Sequence, residues 1–125
     1  MDLIQVLKAL SDETRLRIIN ILKGNDLCVC EIEFLLGINQ SNASRHLNRL
    51  LSAKIVKYYK KAQYVYYEIN WDITLEYPFI KEIIDNEAPK LNQCIIDNEK
   101  LKKYKSSGLN CDDLKKGKGC FCDEC

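Results

Sequence analysis

Around Gly37 the chain carries two short helical patterns separated by a tight turn, and beyond Ser52 the period of its residues changes from helix to strand. Few folds accommodate that order. Cys30 occupies a helix N-cap position, and Glu33 stands three residues on, in the capping-box slot. These signals predict a brief helix over about 31 to 36, which Gly37 stops. Asn39 is suited to cap the next helix, expected from about Gln40 to Ser52. Two short helices joined through a glycine turn make the helix-turn-helix pattern. Lys54 to Tyr59 and Tyr64 to Ile69 are then rich in β-branched and aromatic residues, with Lys60-Lys61-Ala62-Gln63 between them. The expected fold is mainly α with a small β-hairpin.

Charge sharpens this reading. Residues 34–67 hold Arg45, Arg49, Lys54, Lys57, Lys60 and Lys61 with no Asp or Glu, so this window carries +6 inside a chain of net charge +1. A polarised molecule lies behind a neutral average, and its basic part should face something anionic. On a 3.6-residue helix, Ala43, Leu47, Leu50 and Leu51 share one side and pack inward, while Ser41, Arg45 and Asn48 project outward. The N-terminal part of such a second helix enters the major groove of DNA. Gln40, Ser41, Asn42, Ser44 and Arg45 are therefore the candidate base contacts, since arginine and amide side chains match base edges. Arg49, Lys54, Lys60 and Lys61 are candidates for phosphate neutralisation, which adds affinity without sequence discrimination. The competing reading is a solvated helix face beside a solvated hairpin tip. His46 borders the buried face and is read as a packing or phosphate-contact residue.

The flanks are helical. Leu3, Val6, Leu7 and Leu10 follow i, i+3, i+4, i+7 spacing, and Ser11 is placed to cap a second helix carrying Leu16, Ile19 and Leu22. Another helical region begins at Pro78, with a kink or break expected near residues 88 to 89 because Pro89 removes a hydrogen bond. From Ser106 the apolar pattern stops. The expectation is one folded domain over residues 1–105 and a flexible Cys-rich tail over residues 106–125. No apolar run approaches the ~18 residues a bilayer span needs, and no signal-peptide pattern opens the chain, so a cytoplasmic protein is expected. An enzyme is not: there is one histidine, no defensible nucleophile–His–acid spacing and no Gly-rich phosphate loop.

Seven cysteines in a reducing compartment point to metal or redox chemistry rather than a disulfide framework. Cys28-Val29-Cys30 offers two thiols in a short span, soft ligands for Zn, Cd, Cu(I) and trivalent arsenic or antimony. A helix N-terminus favours the Cys30 thiolate. Within a regular helix, residues two apart point about 200° away from each other, so chelation by both sulfurs is easier if the first turn is extended or unwound. An ion favouring that distorted form would draw the protein away from its DNA-binding form. The plain alternative is two small, semi-buried fillers.

Asp26-Leu-Cys-Val-Cys-Glu-Ile, Gln40-Ser-Asn-Ala-Ser-Arg-His-Leu and the Tyr-rich hairpin together resemble the ArsR/SmtB family of winged-helix repressors, over roughly residues 3 to 100. The resemblance implies a winged helix-turn-helix that dimerises through its N- and C-terminal helices. It also implies a repressor bound to an inverted repeat in double-stranded operator DNA, released when an inducer binds. The wing turn departs from the pattern: Lys61-Ala62-Gln63 stands where the family commonly has Asp-Gly-Arg. Leu-Cys-Val-Cys is shared in the family by arsenic(III)/antimony(III) sensors and by cadmium/lead sensors. Many arsenic sensors place a third cysteine where this chain has Glu33. The family's zinc sensors use Asp and His on the last helix, and Pro78 to Tyr104 contains no histidine.

On that resemblance the expected inducer is arsenite or antimonite at Cys28 and Cys30, and the regulated genes a metal(loid)-resistance operon. A soft divalent metal (Cd, Pb, Zn) and a thiol-redox response on the same scaffold are the alternatives, with soft-metal sequestration a third. The third sulfur is open among Cys94, the tail cysteines Cys111, Cys120, Cys122 and Cys125, and a partner subunit. The tail cluster is either an ion-wrapping chain or a set of oxidisable surface thiols.

Overall fold

The computed structural model describes residues 2–115. Eight α-helices and three strands follow one another as α1 (Leu3–Leu10), α2 (Glu13–Leu22), β1 (Leu27–Cys28), α3 (Val29–Leu36), α4 (Gln40–Ser52), β2 (Val56–Lys61), β3 (Tyr64–Ile69), α5 (Ile73–Glu76), α6 (Pro78–Glu82), α7 (Asn92–Ser107) and α8 (Cys111–Lys115). The helices enclose one apolar core to which Val6, Ile18, Leu22, Ile32, Leu47, Leu50, Ile55, Ile80 and Ile84 contribute fully buried side chains. Burying these side chains is the main favourable term in holding the elements together.

The strands form a three-stranded antiparallel sheet in the order β1-β3-β2. The hairpin is thus joined by a third strand, with Leu27 opposite Tyr67 and Cys28 opposite Tyr66. The stretch Leu27-Cys28 is too short to reveal a period of two, so only pairing identifies it. The hairpin itself is tighter than the residue pattern suggests. Lys54 has φ 59 and donates its N–H to the Leu51 carbonyl, while Ile55 donates to Leu50. Those two bonds close α4 in a Schellman-type ending, with buried Ile55 against buried Leu50. Pairing therefore starts at Val56, and Lys60 and Lys61 fall inside β2, leaving Ala62 and Gln63 as the turn.

Two helix starts differ from expectation. Asp12, not Ser11, caps α2: its carboxylate accepts from the Arg15 N–H at 3.0 Å, while the Ser11 hydroxyl donates to the Lys8 carbonyl and finishes α1. Cys28, not Cys30, is the N-cap of α3, and Glu31, not Glu33, fills the capping-box slot. Both shifts have one cause. The true cap is the residue whose backbone is extended, and Asp12 (ψ 130) and Cys28 (ψ 168) have that conformation.

The break at Pro89 is present. A π-helical turn over Ile83–Glu87 and a 3-10 turn over Ala88–Lys90 lead to an extended Leu91, from which α7 departs. Beyond Ser106 the described residues, up to 115, are largely helical. α7 runs through Ser107, Gly108 turns with φ 75, and α8 follows. Leu109 and Leu114 pack against the core and Cys111 is buried. These apolar positions are too few to show a period, but Asn110 and Asp113 are a usable signal. Asn110 accepts from the Asp113 N–H and donates its own N–H to the Asp113 carboxylate, closing the helix start reciprocally.

Candidate functional site

The candidate reading surface is built on α4. Asn39 caps it, accepting from the Asn42 N–H at 2.8 Å. Gly37, with φ 69, turns the chain between α3 and α4 in the left-handed conformation that glycine adopts without a Cβ penalty. Ala43, Leu47 and Leu50 are fully buried, so the helix cannot roll. Gln40, Ser41, Asn42, Arg45 and Arg49 are all exposed on the other side, and Ser44 is half-buried. Ser41, Ser44, Arg45, Asn48, Arg49 and Ser52 line one shallow, open groove. Arg45 is steadied by a 3.1 Å bond from its guanidinium to Asn42.

His46 lies inside, at 6% exposure, with Arg15 Nη1 3.1 Å from its Nδ1. Burial pulls the imidazole below its ordinary range, and the neighbouring Arg45 and Arg15 add to this against the opposing pull of Asp12. Arg15 also donates to the Ala9 and Lys8 carbonyls, so His46 ties the recognition helix to the end of α1. It is thus a buried, hydrogen-bonded residue at the junction of α1, α2 and α4. In the hairpin, Lys60 and Lys61 are exposed but, being consecutive in β2, project from opposite faces. Lys54 is exposed in the left-handed conformation that ends α4.

The candidate thiol site gathers three sulfurs. Cys28 lies on β1 and Cys30 in the first turn of α3, and their Sγ atoms are 2.9 Å apart. Because Cys28 sits outside the helix in extended conformation, the two thiols converge without any unwinding of α3. The expected divergence within a regular helix does not arise. Cys111 reaches the same point from α8 and is joined to Cys28 as a disulfide, and the Sγ atoms of Cys28, Cys30 and Cys111 all lie within 4.8 Å of one another. Cys94 is not in this group. It is fully buried in α7, its thiol pushed up to about 11 chiefly by burial. Glu33, in the slot of a third cysteine, is half-buried with its carboxyl raised by desolvation and does not join the sulfurs. Cys120, Cys122 and Cys125 lie outside the described residues.

Sequence reasoning missed the residues that hold this corner. Glu31 Oε1 accepts from the Cys28 N–H at 3.0 Å, and its Oε2 accepts from the Tyr104 hydroxyl at 2.5 Å. Glu31 stands three residues after Cys28, a legible spacing; Tyr104 gives no local sign. Lys100 donates to the Phe34 carbonyl at 2.7 Å and sits over the Phe34 ring, and Arg17 grips Asp97 bidentately at 2.8 and 2.9 Å while bonding the Leu36 carbonyl. α7 therefore fixes both ends of α3. At the wing, Asp112 of α8 accepts from the Tyr64 hydroxyl and from Gln63.

Residues 12–58, from the cap of α2 into β2, match the family described as bacterial regulatory protein, arsR family. The chain is 38% identical over 65 residues to the transcriptional repressor SdpR of Bacillus subtilis, 52% of this chain and 72% of that protein. It is 33% identical over 94 residues to the arsenic resistance transcriptional regulator ArsR2 of Pseudomonas putida, 74% of this chain and 79% of that protein. The chain belongs to the ArsR family of bacterial regulators. Within the family it is also 39% identical over 71 residues to a cadmium resistance transcriptional regulatory protein CadC homolog of Staphylococcus aureus, 56% of this chain but only 59% of that one. Among solved structures, the homodimeric winged helix-turn-helix DNA-binding domain from Mycobacterium bovis is 26% identical with a TM-score of 0.56, covering 70% of this chain and 82% of that one. The chain is thus a DNA-binding regulator of the winged-helix type, not an enzyme, with α3 and α4 as its helix-turn-helix and β2–β3 as its wing. Among the described residues no helix is long and apolar enough to cross a membrane.

Proposed function

We propose that this regulator is a cytoplasmic, homodimeric repressor that occupies an inverted repeat in the operator of a metal(loid)-resistance operon and leaves it when arsenite or antimonite is captured by Cys28 and Cys30, with Cys111 as third sulfur. The observation that carries the reading is the convergence of three sulfurs within 4.8 Å at the start of α3. In their reduced state they offer three soft donors and no oxygen or nitrogen ligand, a set suited to a three-coordinate trivalent metalloid. A tetrahedral divalent ion would need a fourth ligand. The arsenic and cadmium regulators among the relatives support the class of inducer without choosing between them. Gln40, Ser41, Asn42, Ser44 and Arg45 are the base contacts in this reading, and Arg49, Lys60 and Lys61 hold phosphates. Exposed Leu3, Ile4 and Leu7 of α1 and Ile95 and Ile96 of α7 supply an apolar surface for the partner subunit.

Mobility-shift titration of a captured operator tests this. Arsenite releases the wild type, whereas Cys28→Ser and Cys30→Ser stay bound. Release by cadmium or lead but not by arsenite would replace the inducer. The Cys28–Cys111 disulfide favours one second reading. A peroxide-class oxidant takes two electrons from the two thiols, forming the S–S bond and water, and the oxidised pair no longer captures an ion. Peroxide-driven release that persists in a chelator and reverses with dithiothreitol would favour that reading.

A further inference from the structure

We propose that an ion held by Cys28, Cys30 and Cys111 clamps α8 onto the wing, and that the clamp weakens DNA binding by setting the Asp112 carboxylate beside Lys61. This rests on the thiol reading above and gives that site its lever. Cys28 and Cys30 already converge, so an ion bridging only those two leaves α3 as it is. The element whose position depends on the ion is the one that brings the remaining sulfur, 83 residues away from Cys28.

That element is α8, a helix of five residues. One and a half turns do not persist alone in water, because nucleating a helix costs more than a single turn returns. α8 is held by Leu109 and Leu114 against the core, by the Cys111 sulfur, and by Asp112 on the hairpin. Removing the sulfur's bond leaves a small apolar contact and two exposed hydrogen bonds.

Cys111 and Asp112 are consecutive, so fixing one delivers the other. Asp112 Oδ1 takes hydrogen bonds from the Tyr64 hydroxyl and from Gln63 Nε2, the latter at 3.3 Å. Gln63 is in the wing turn, and Tyr64 is the cross-strand partner of Lys61. Lys61, Tyr64, Tyr66, Cys111 and Asp112 border one cleft of about 230 Å³ between the wing and α8. A negative charge in a cleft that Lys61 also lines opposes the lysine's positive charge, an effect that fades only beyond the ~8 Å screening length of physiological salt. It offsets the lysine's attraction for phosphate, and the tip of the wing, whose own residues 60–67 include no acid, gains one when α8 is docked.

The test uses the full chain, a captured operator duplex and arsenite as the probe. Arsenite binding is read by arsenic–thiolate ultraviolet absorbance and loss of titratable thiols, and DNA affinity by fluorescence anisotropy across a salt series. In the wild type, arsenite should weaken binding and lower the salt slope of the dimer by about 2, as when one lysine on each protomer ceases to neutralise its phosphate. Asp112→Asn should take up arsenite normally yet show several-fold weaker release and an unchanged slope. Tyr64→Phe should fall in the same direction, guarding against a folding defect peculiar to Asp112. Lys61→Gln should start with the lower slope and show no further change on arsenite addition. Full release with the wild-type slope change in both Asp112→Asn and Tyr64→Phe overturns the clamp while leaving the thiol site intact. A wild type that takes up no arsenite, or takes it up and stays on DNA, overturns the thiol reading and the clamp with it.

Discussion

The surface proposed to read DNA and the corner that carries the sulfurs are neighbours on α3 and α4, yet they are assembled by opposite means. The reading surface lies on one helix: its exposed residues follow from the spacing of Ala43, Leu47 and Leu50, and each is within a few residues of the next. The sulfur corner is assembled from a strand, a helix start and a helix 83 residues later, and its support comes from α7 as well. A helix face needs only a firm seat. A site made of distant segments can be opened or closed by moving one of them, which suits it to sensing.

Cutting the shared support should affect both regions most. Arg17 and Asp97 are 12% and 2% exposed, and Asp97→Ala leaves the guanidinium buried without its carboxylate. A loss of about 4 kcal/mol is expected, because stranding one member of a buried pair costs more than the pair contributes. Urea melts read it, and a loss below about 1 kcal/mol would mean that the pair behaves as a surface bridge.

The next cut separates the regions. Tyr104→Phe removes the hydroxyl that satisfies Glu31 and should destabilise the fold by about 2 kcal/mol, as for a buried hydrogen bond to a carboxylate. Hydrogen exchange should quicken at the Cys28 end of α3 and not along α4. Equal quickening in both would show the corner and the reading face to be one cooperative unit.

Arg45→Ala should leave the sulfur corner alone and cost about 1–3 kcal/mol of operator affinity, with discrimination removed at one base position. Lys60→Ala should weaken specific and non-specific duplexes alike and reduce the salt slope by about 1 per protomer. If the two variants are indistinguishable on specific and random DNA, the division between reading and neutralising residues on this surface fails.

The smallest effect concerns His46. The folded imidazole holds its proton less tightly than the unfolded one, near pH 6.5, because of burial and the flanking arginines. Its contribution is therefore intact above that pH and is lost as the pH falls toward the lower folded value. Thermal melts between pH 7.5 and pH 5 (about one unit or more either side of the free value) should fall more steeply for the wild type than for His46→Gln. Parallel curves would place the acid sensitivity elsewhere.

The contrast between the regions also explains what is legible in the sequence. The order α3, Gly37, α4, hairpin can be read because each signal acts within four or five residues: a glycine stop, an asparagine cap, a change of period. The cap of α3 reads two residues too late because Cys30 and Glu33 repeat the spacing of Cys28 and Glu31, and only the extended backbone at Cys28, paired to Tyr66, distinguishes them. The start of the hairpin misleads for a similar reason. Lysine is an unusual residue at φ 59, and nothing local announces that Lys54 ends α4. The placement of Cys111 is illegible because a link between residues 83 apart leaves no period behind.

From its amino acids alone this chain determined a helix-turn-helix with a basic, acid-free reading surface and two soft ligands beside it, since short-range backbone preferences and side-chain spacing suffice for those. Tertiary structure decided which third sulfur meets them, that Glu31 and Tyr104 brace the corner, and that Asp112 reaches the wing. Those relations are set by which surfaces bury each other when the chain collapses, and burial between distant segments depends on shape rather than on any neighbour in sequence.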